Sequence, residues 1–68
     1  FIFLNVKTVP AFDTETLRPH TAYTVYTCYD NVFKIASAWT LQDAIEIFSS
    51  EYKCKRDLLR LRRPFRPQ

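Results

Sequence analysis

Glycine is absent from the 68-residue sequence. Phosphate-cradling loops and dinucleotide-binding turns require glycine, because the backbone must approach the phosphates where a Cβ would collide. The sequence therefore excludes both kinds of nucleotide site. Its tight turns must use asparagine, aspartate or proline instead, since these residues tolerate the backbone angles that turns require.

Long apolar runs are missing as well. No run reaches the roughly 18 residues of a membrane-spanning helix, and the first residues show neither the basic segment nor the small-residue cleavage site of a signal peptide. We therefore expect a soluble, intracellular protein without a membrane partner. A chain of 68 residues allows one domain with a small core, which argues against an enzyme with a large cleft.

Residues that carry metal or acid–base chemistry are scarce. The sequence has two cysteines, Cys28 and Cys54, and one histidine, His20. None of them has a partner at the short spacing typical of zinc sites, and we expect two structural thiols rather than a disulfide. His20 follows a proline in a polar segment, which favours a solvated loop residue over a general base. The sequence predicts no catalytic residue, metal or cofactor, so the protein is not expected to be an enzyme.

Charge is distributed unevenly along the chain. Residues 1–52 carry three basic and six acidic side chains, whereas residues 53–68 carry seven basic side chains and one acidic side chain. The net charge is +3. Such asymmetry indicates an electrostatic contact made by the C-terminal quarter of the chain.

The first half of the chain has the composition of β-strands. Residues 1–9 are rich in branched and aromatic side chains and predict a strand that ends at Pro10, followed by an exposed connection over 11–20. Residues 21–29, dominated by Thr, Tyr and Val, predict the clearest strand. A tight turn at Asp30 and Asn31 leads into a second hairpin strand over 32–38, because these two residues accept left-handed backbone conformations.

A helix is predicted to begin at Thr40. The Thr40 hydroxyl can cap its first turn, and Asp43 lies near the positive end of the helix. Apolar residues follow at helical spacing and predict one buried stripe. The stripe consists of Leu41, Ala44, Ile45, Phe48 and Tyr52.

A last strand is predicted over 58–63, before Pro64. Leu59 and Leu61 alternate with Arg60 and Arg62, so the two kinds of side chain point to opposite faces. The predicted fold is α+β: a small antiparallel sheet of three or four strands with one α-helix packed on a face. Residues 1–20 form an N-terminal strand and loop, 21–64 the β-hairpin, helix and strand core, and 65–68 a basic tail.

The arginines of the last strand are the strongest candidates for a binding surface. Arg60, Arg62 and Arg63 precede the segment 64–67, which contains Phe65. Protein contact surfaces are enriched in Arg and aromatic residues, because a guanidinium binds a carboxylate through two hydrogen bonds. A charged edge strand that prevents aggregation is the simpler explanation, but it needs only one or two charges.

The aromatic residues offer an alternative. Tyr23, Tyr26, Tyr29 and Phe33 lie on predicted strands and could stack on bases, while the basic tail neutralises phosphates. Lys34 is the only basic residue among them, and half of the rings are needed for the core. A basic nucleic-acid-binding module is therefore the second hypothesis.

Residues 22–64 resemble a known family, the small RNA-polymerase inhibitor (gene-two protein) of T-seven-type phages. In that family a strand opening on Phe precedes Thr-Leu, two acids, Ala-Leu-Glu-Leu, a Tyr and an Arg-x-Arg-Pro ending. Here Phe33, Thr40-Leu41, Ala44-Ile45-Glu46-Ile47, Tyr52 and Arg63-Pro64 correspond. Where the family has its other functional arginine this chain has Leu61, with arginines at 60 and 62, and Lys34 replaces a family acid.

The resemblance implies a phage protein that binds bacterial RNA polymerase and inhibits transcription without turnover. We expect it to act in the host cytoplasm as a monomer. The expected contact residues are Arg60, Arg62, Arg63, Phe65, Asp43 and Glu46. A phage antagonist of another host protein, such as a nuclease, remains a third hypothesis on the same scaffold.

Overall fold

The computed structural model describes residues 1–62. Within these residues, four strands and one helix follow one another, and a single 3-10 turn, Arg56–Leu58, precedes the last strand. The elements are β1 (Ile2–Asp13), β2 (Arg18–Tyr29), β3 (Val32–Ala38), α1 (Leu41–Glu51) and β4 (Leu59–Leu61). The strands form one sheet in the order β3-β2-β1-β4, with α1 packed on one face. The predicted α+β class is confirmed.

The prediction of a wholly antiparallel sheet is wrong for the last strand, which joins in parallel and makes the sheet mixed. β1 and β2 pair antiparallel, as do β2 and β3, whereas β4 lies parallel to β1, with Ile2 opposite Leu59. β3 runs in the same direction as β1, so α1 carries the chain from one edge of the sheet across its face to the other edge. The first strand, which the sequence analysis placed outside the 21–64 core, lies between two neighbours and contributes the fully buried Leu4.

β1 continues beyond Pro10, contrary to the sequence prediction. The Arg62 amide donates a hydrogen bond to the Leu4 carbonyl, so the even-numbered residues of β1 direct their backbone groups toward the β4 side. Pro10 has the same parity, and β4 pairs only with residues 2–4. The N–H that Pro10 lacks would therefore have pointed to a side without a neighbouring strand, so the proline removes no hydrogen bond from the sheet.

The predicted exposed connection over 11–20 is also wrong. β1 and β2 remain paired to Asp13 and Arg18, leaving a loop of only four residues, 14–17. His20 therefore belongs to a strand rather than to a loop. Beyond the ends of β3 and β4, residues 9–13 and 18–22 form a two-stranded ribbon that projects from the sheet. The sequence did not predict this pairing, because each of the two ribbon strands contains a proline, a residue that usually indicates a loop or a strand end.

Two predicted local structures are confirmed. Asp30 and Asn31 both have positive φ, 57° and 62°, and close the β2–β3 hairpin between Tyr29 and Val32. The Thr40 hydroxyl accepts a hydrogen bond from the Asp43 amide at 3.1 Å and caps α1. Both positions follow from local chemistry: the turn residues tolerate left-handed angles, and the cap satisfies an amide that the first helical turn leaves free.

The core lies between α1 and the sheet. The helix contributes three buried residues of its predicted stripe, Ala44, Ile45 and Phe48, and of these Phe48 is only 1% exposed. The sheet contributes the buried residues Leu4, Val25, Ala36 and Leu59. At about 25 cal/mol per Å² of buried apolar surface, this contact is the main stabilising term of a small domain. It also determines which face of the sheet is covered and which is left open.

Candidate functional site

The sheet has one covered face and one open face. Side chains alternate along each strand, so those that share the parity of Leu4, Val25, Ala36 and Leu59 meet α1. The opposite set forms a surface that we call the open face. Its members in the four-stranded part are Phe3, Asn5, Lys7, Thr24, Tyr26, Cys28, Phe33, Ile35, Ser37 and Arg60.

Arg60 lies at the β4 edge of the open face and is held in a defined position. Its Nη1 donates hydrogen bonds to the carbonyls of Asp57 and Leu59, at 2.6 and 2.9 Å. The guanidinium carbon lies 4.3 Å from the centre of the Phe1 ring, a distance typical of a cation–π contact. Both bonds use the same nitrogen, so the other N–H groups of the guanidinium are left to face a partner.

Arg62 follows β4 and is also exposed. Its amide extends the backbone pairing to Leu4, at 2.7 Å. Neither Arg60 nor Arg62 forms an ion pair with a carboxylate within residues 1–62. Leu59 is buried and Leu61 half-buried, which confirms the predicted alternation. Of the remaining predicted contact residues, Arg63 and Phe65 lie outside the described residues.

Asp43 and Glu46 are not brought together with Arg60. Both are exposed on α1, on the side that faces away from the buried stripe. Because α1 covers one face of the sheet and Arg60 lies on the other, the sheet itself separates these acids from the arginine. The acids and Arg60, which sequence analysis assigned to one contact surface, therefore lie on two different sides of the molecule.

Aromatic and apolar side chains are exposed on the open face. Phe3 is 48% exposed and Phe33 is 61% exposed. The Tyr26 and Phe33 rings lie 6.1 Å apart, and the Lys7 ammonium lies 5.9 Å from the centre of the Tyr26 ring. Sequence analysis did not single out Phe3, Lys7 or Ile35 for this surface. Strand alternation could have identified Phe3, because Leu4 is buried and adjacent residues of a strand point to opposite faces.

The remaining tyrosines of the nucleic-acid hypothesis face α1. Tyr23 and Tyr29 share the parity of Val25 and therefore its face of the sheet. Tyr29 borders a hollow of about 230 Å³ beside the end of α1, together with Tyr52 and Lys34. The Lys34 ammonium lies 5.2 Å from the Tyr29 ring and 5.6 Å from the Tyr52 ring, so these rings surround a cation on the covered face.

The projecting ribbon carries the one histidine. His20 Nε2 lies 3.7 Å from Asp13 Oδ2, and its ring packs 5.1 Å from Trp39. The Glu15 amide donates a hydrogen bond to Asp13 Oδ1 at 2.9 Å, and this bond is the main reason that the pKa of Asp13 is lowered. These contacts hold the turn at the ribbon tip. Within residues 1–62 no group of three or more His, Cys, Asp or Glu side chains is placed to bind a metal ion.

The two cysteines are free thiols on different parts of the molecule. Cys28 is exposed on the open face, whereas Cys54 is half-buried beside the hollow next to α1. As for membrane insertion, α1 has 11 residues, and no helix in the described part of the chain is long and apolar enough to span a bilayer.

No protein-family model, curated protein or solved structure matches this chain.

Proposed function

We propose that this protein is a phage-type inhibitor that binds bacterial RNA polymerase in the host cytoplasm and blocks transcription as a monomer, without catalysis. The observation that carries the proposal is the pair of exposed arginines on the β4 edge. Arg60 and Arg62 have no carboxylate partner within residues 1–62. The motif resemblance from Phe33 to Pro64 supplies the target, and two unpaired guanidinium groups supply the means of binding an acidic surface.

Arg60 is suited to this role because its geometry is fixed before binding. Hydrogen bonds to two carbonyls and the contact with Phe1 restrict its side-chain rotamers. An arginine that is already ordered loses less conformational entropy when it binds, and its free N–H groups can form paired hydrogen bonds with one carboxylate. Arg62 adds a second positive charge, which speeds the approach to an acidic patch.

The proposed contact surface is the β4 edge, and the acids of α1 are not at its centre. Arg63 and Phe65 follow directly in the sequence and are proposed to extend the contact. Asp43 and Glu46 lie beyond the sheet from Arg60, so only a partner that reaches around the β4 edge contacts both sets. An acidic patch on the polymerase that meets the arginine side alone is the simpler arrangement.

In-vitro transcription from a bacterial promoter tests the proposal. The double variant Arg60→Glu/Arg62→Glu should remain folded, because exposed substitutions usually change stability by less than about 0.5 kcal/mol each. It should lose inhibition, because losing one desolvated charge pair costs about 2–5 kcal/mol of binding and the reversed charges repel. The matched control is Lys53→Glu/Lys55→Glu, which changes the net charge equally at two other exposed positions.

Two outcomes contradict the proposal, and they differ in what they exclude. Full inhibition by the Arg60→Glu/Arg62→Glu protein would remove β4 from the contact surface. Absence of inhibition by the unchanged protein would remove RNA polymerase as the target. In that second case, affinity capture from a bacterial lysate with mass spectrometry distinguishes a different host protein, such as a nuclease, from no protein partner.

A further inference from the structure

Apart from Arg60 at its β4 edge, the open face consists of residues that the proposed polymerase contact does not use. Phe3, Phe33 and Ile35 are each more than 40% exposed on this face, and no element of residues 1–62 packs over them. Tyr26 lies among them, 6.1 Å from Phe33. A contiguous exposed apolar patch often marks a binding site, because covering its area with a ligand removes apolar surface from water.

Positive charges border these rings, and the strands place few acidic side chains on the same face. Lys7 lies over Tyr26, and Arg60 lies over Phe1 at the β4 edge. Among open-face positions of the described strands, the one carboxylate belongs to Asp13, at the far tip of the ribbon beside His20. The helix acids lie on the other side of the sheet. The strands thus place cations beside the rings, while the two nearest acids lie outside the strands, Asp30 in the β2–β3 turn and Asp57 just before β4.

We propose that the open face binds single-stranded nucleic acid, with bases stacked on Tyr26, Phe33 and Phe3 and phosphates near Lys7. Every base offers a flat face, so exposed rings bind single strands with little sequence preference, while a basic side chain neutralises the backbone. In a duplex the bases stack on one another and cannot reach the rings. The seven residues of β3 span about 20 Å, a length suited to the two or three bases that a four-stranded sheet typically stacks.

Polar groups lie beside the rings, where base edges would fall. Ser37 is exposed, and its hydroxyl is held 2.8 Å from that of Thr24, which is itself buried on the neighbouring strand. The Asn5 amide donates to the Tyr26 carbonyl at 3.3 Å and keeps its oxygen free to accept. An apolar protein surface docked here would bury the Lys7 ammonium and the Asn5 side-chain oxygen without partners, at a cost in free energy, whereas a nucleotide offers a phosphate to the first and base donors to the second. The observations therefore favour nucleic acid over an apolar protein.

Fluorescence anisotropy with a labelled oligothymidylate of about ten nucleotides tests this assignment. Phe33→Ala should weaken binding by about 5- to 150-fold, the range found when one stacked ring is removed. Phe33→Leu, which keeps apolar bulk, should weaken it in the same direction, so the test does not depend on the alanine variant being folded. Tyr29→Ala is the matched control, because Tyr29 is an exposed aromatic residue near the same turn but faces α1. It should leave binding unchanged.

Salt dependence tests the role of the cation. Each phosphate contact on a single strand contributes about 0.7 to the slope of log affinity against log salt. Lys7→Gln should reduce the slope by about that amount, whereas Lys55→Gln, outside the open face, should not. The assignment is overturned if the oligothymidylate does not bind at low salt, if a duplex of equal length binds as tightly, or if Tyr29→Ala and Phe33→Leu weaken binding equally. None of these results depends on RNA polymerase.

Discussion

The phenol oxygen of Tyr52 lies 3.0 Å from the amide nitrogen of Ile35 and 3.1 Å from the carbonyl oxygen of the same residue. The hydroxyl accepts a hydrogen bond from the amide and donates one to the carbonyl. Ile35 lies on β3, the antiparallel edge of the sheet, and both of these backbone groups point away from β2. Tyr52 therefore occupies the position that a strand from another molecule would take, at the middle of an exposed edge.

Tyr52→Phe should weaken the fold and uncover this edge. Loss of a hydrogen-bonding partner from a partly exposed site should lower the free energy of unfolding by about 0.5–1.5 kcal/mol. The freed Ile35 groups should also promote association through β3, since unpaired edges recruit other strands. Urea unfolding measures the first effect, and light scattering over a range of protein concentrations measures the second.

Tyr29→Phe is the control for this variant. Tyr29 is an exposed tyrosine on the covered face of the sheet, and its hydroxyl takes no part in the hydrogen bonds between Tyr52 and Ile35. We expect no change in stability or association. If Tyr52→Phe remains monomeric at every concentration, the hydroxyl does not protect the edge.

Phe48→Asp should unfold the domain. Phe48 is 1% exposed and packs with its ring centre 4.8 Å from that of Tyr52. An unpaired carboxylate at this position would be buried against the sheet, which costs more than a domain of this size can lose. Circular dichroism should show no cooperative thermal transition. The neighbouring Ile47→Asp places the same charge on a residue that is 44% exposed and should retain the transition. Equal melting of both variants would contradict the packing of α1.

Acid should reduce the stability that Asp13 supplies. Its pKa is lowered, chiefly because the Glu15 amide donates a hydrogen bond to the carboxylate. A lowered folded-state pKa favours the ionised form on folding, so the contribution is present above the unfolded pKa and is lost as pH falls through the folded value. Asp13→Asn keeps an oxygen that can accept the Glu15 bond but cannot ionise. Thermal unfolding should show the parent more stable at neutral pH, with the difference disappearing in acid. A difference that persists unchanged in acid would contradict this role.

The local elements of the fold could be predicted from the sequence, and the long-range pairings could not. The turn at Asp30 and Asn31, the Thr40 cap and the stripe through Phe48 depend on neighbouring residues and on helical spacing. The continuation of β1 through Pro10 depends on which neighbour its backbone groups face, and this is decided by β4 at the other end of the chain. The parallel direction of β4 depends on the path of α1 across the sheet.

For the candidate surface too, local features could be predicted from the sequence and the arrangement of distant elements could not. Alternation with Leu59 and Leu61 predicted that Arg60 would be exposed, and the structure confirms it. The separation of Arg60 from Asp43 was missed, because spacing along one element does not show which side of the sheet a helix covers. Burial of Leu4 shows that Phe3 points away from the core. Defining the open face requires both the alternation of side chains along each strand and knowledge of which face the helix covers.

Parallel pairing of β4 with β1 also shapes how the chain folds. Ile2 and Leu59 are neighbours in space although they lie near opposite ends of the described chain. Contacts between such distant residues slow folding, because a large loop must close before they form. The β2–β3 hairpin and α1 can assemble from nearby residues, whereas one edge of β1 remains unpaired until residues 59–61 have been synthesised. Nascent chains therefore pass through a period in which this strand is open to aggregation and to chaperone binding.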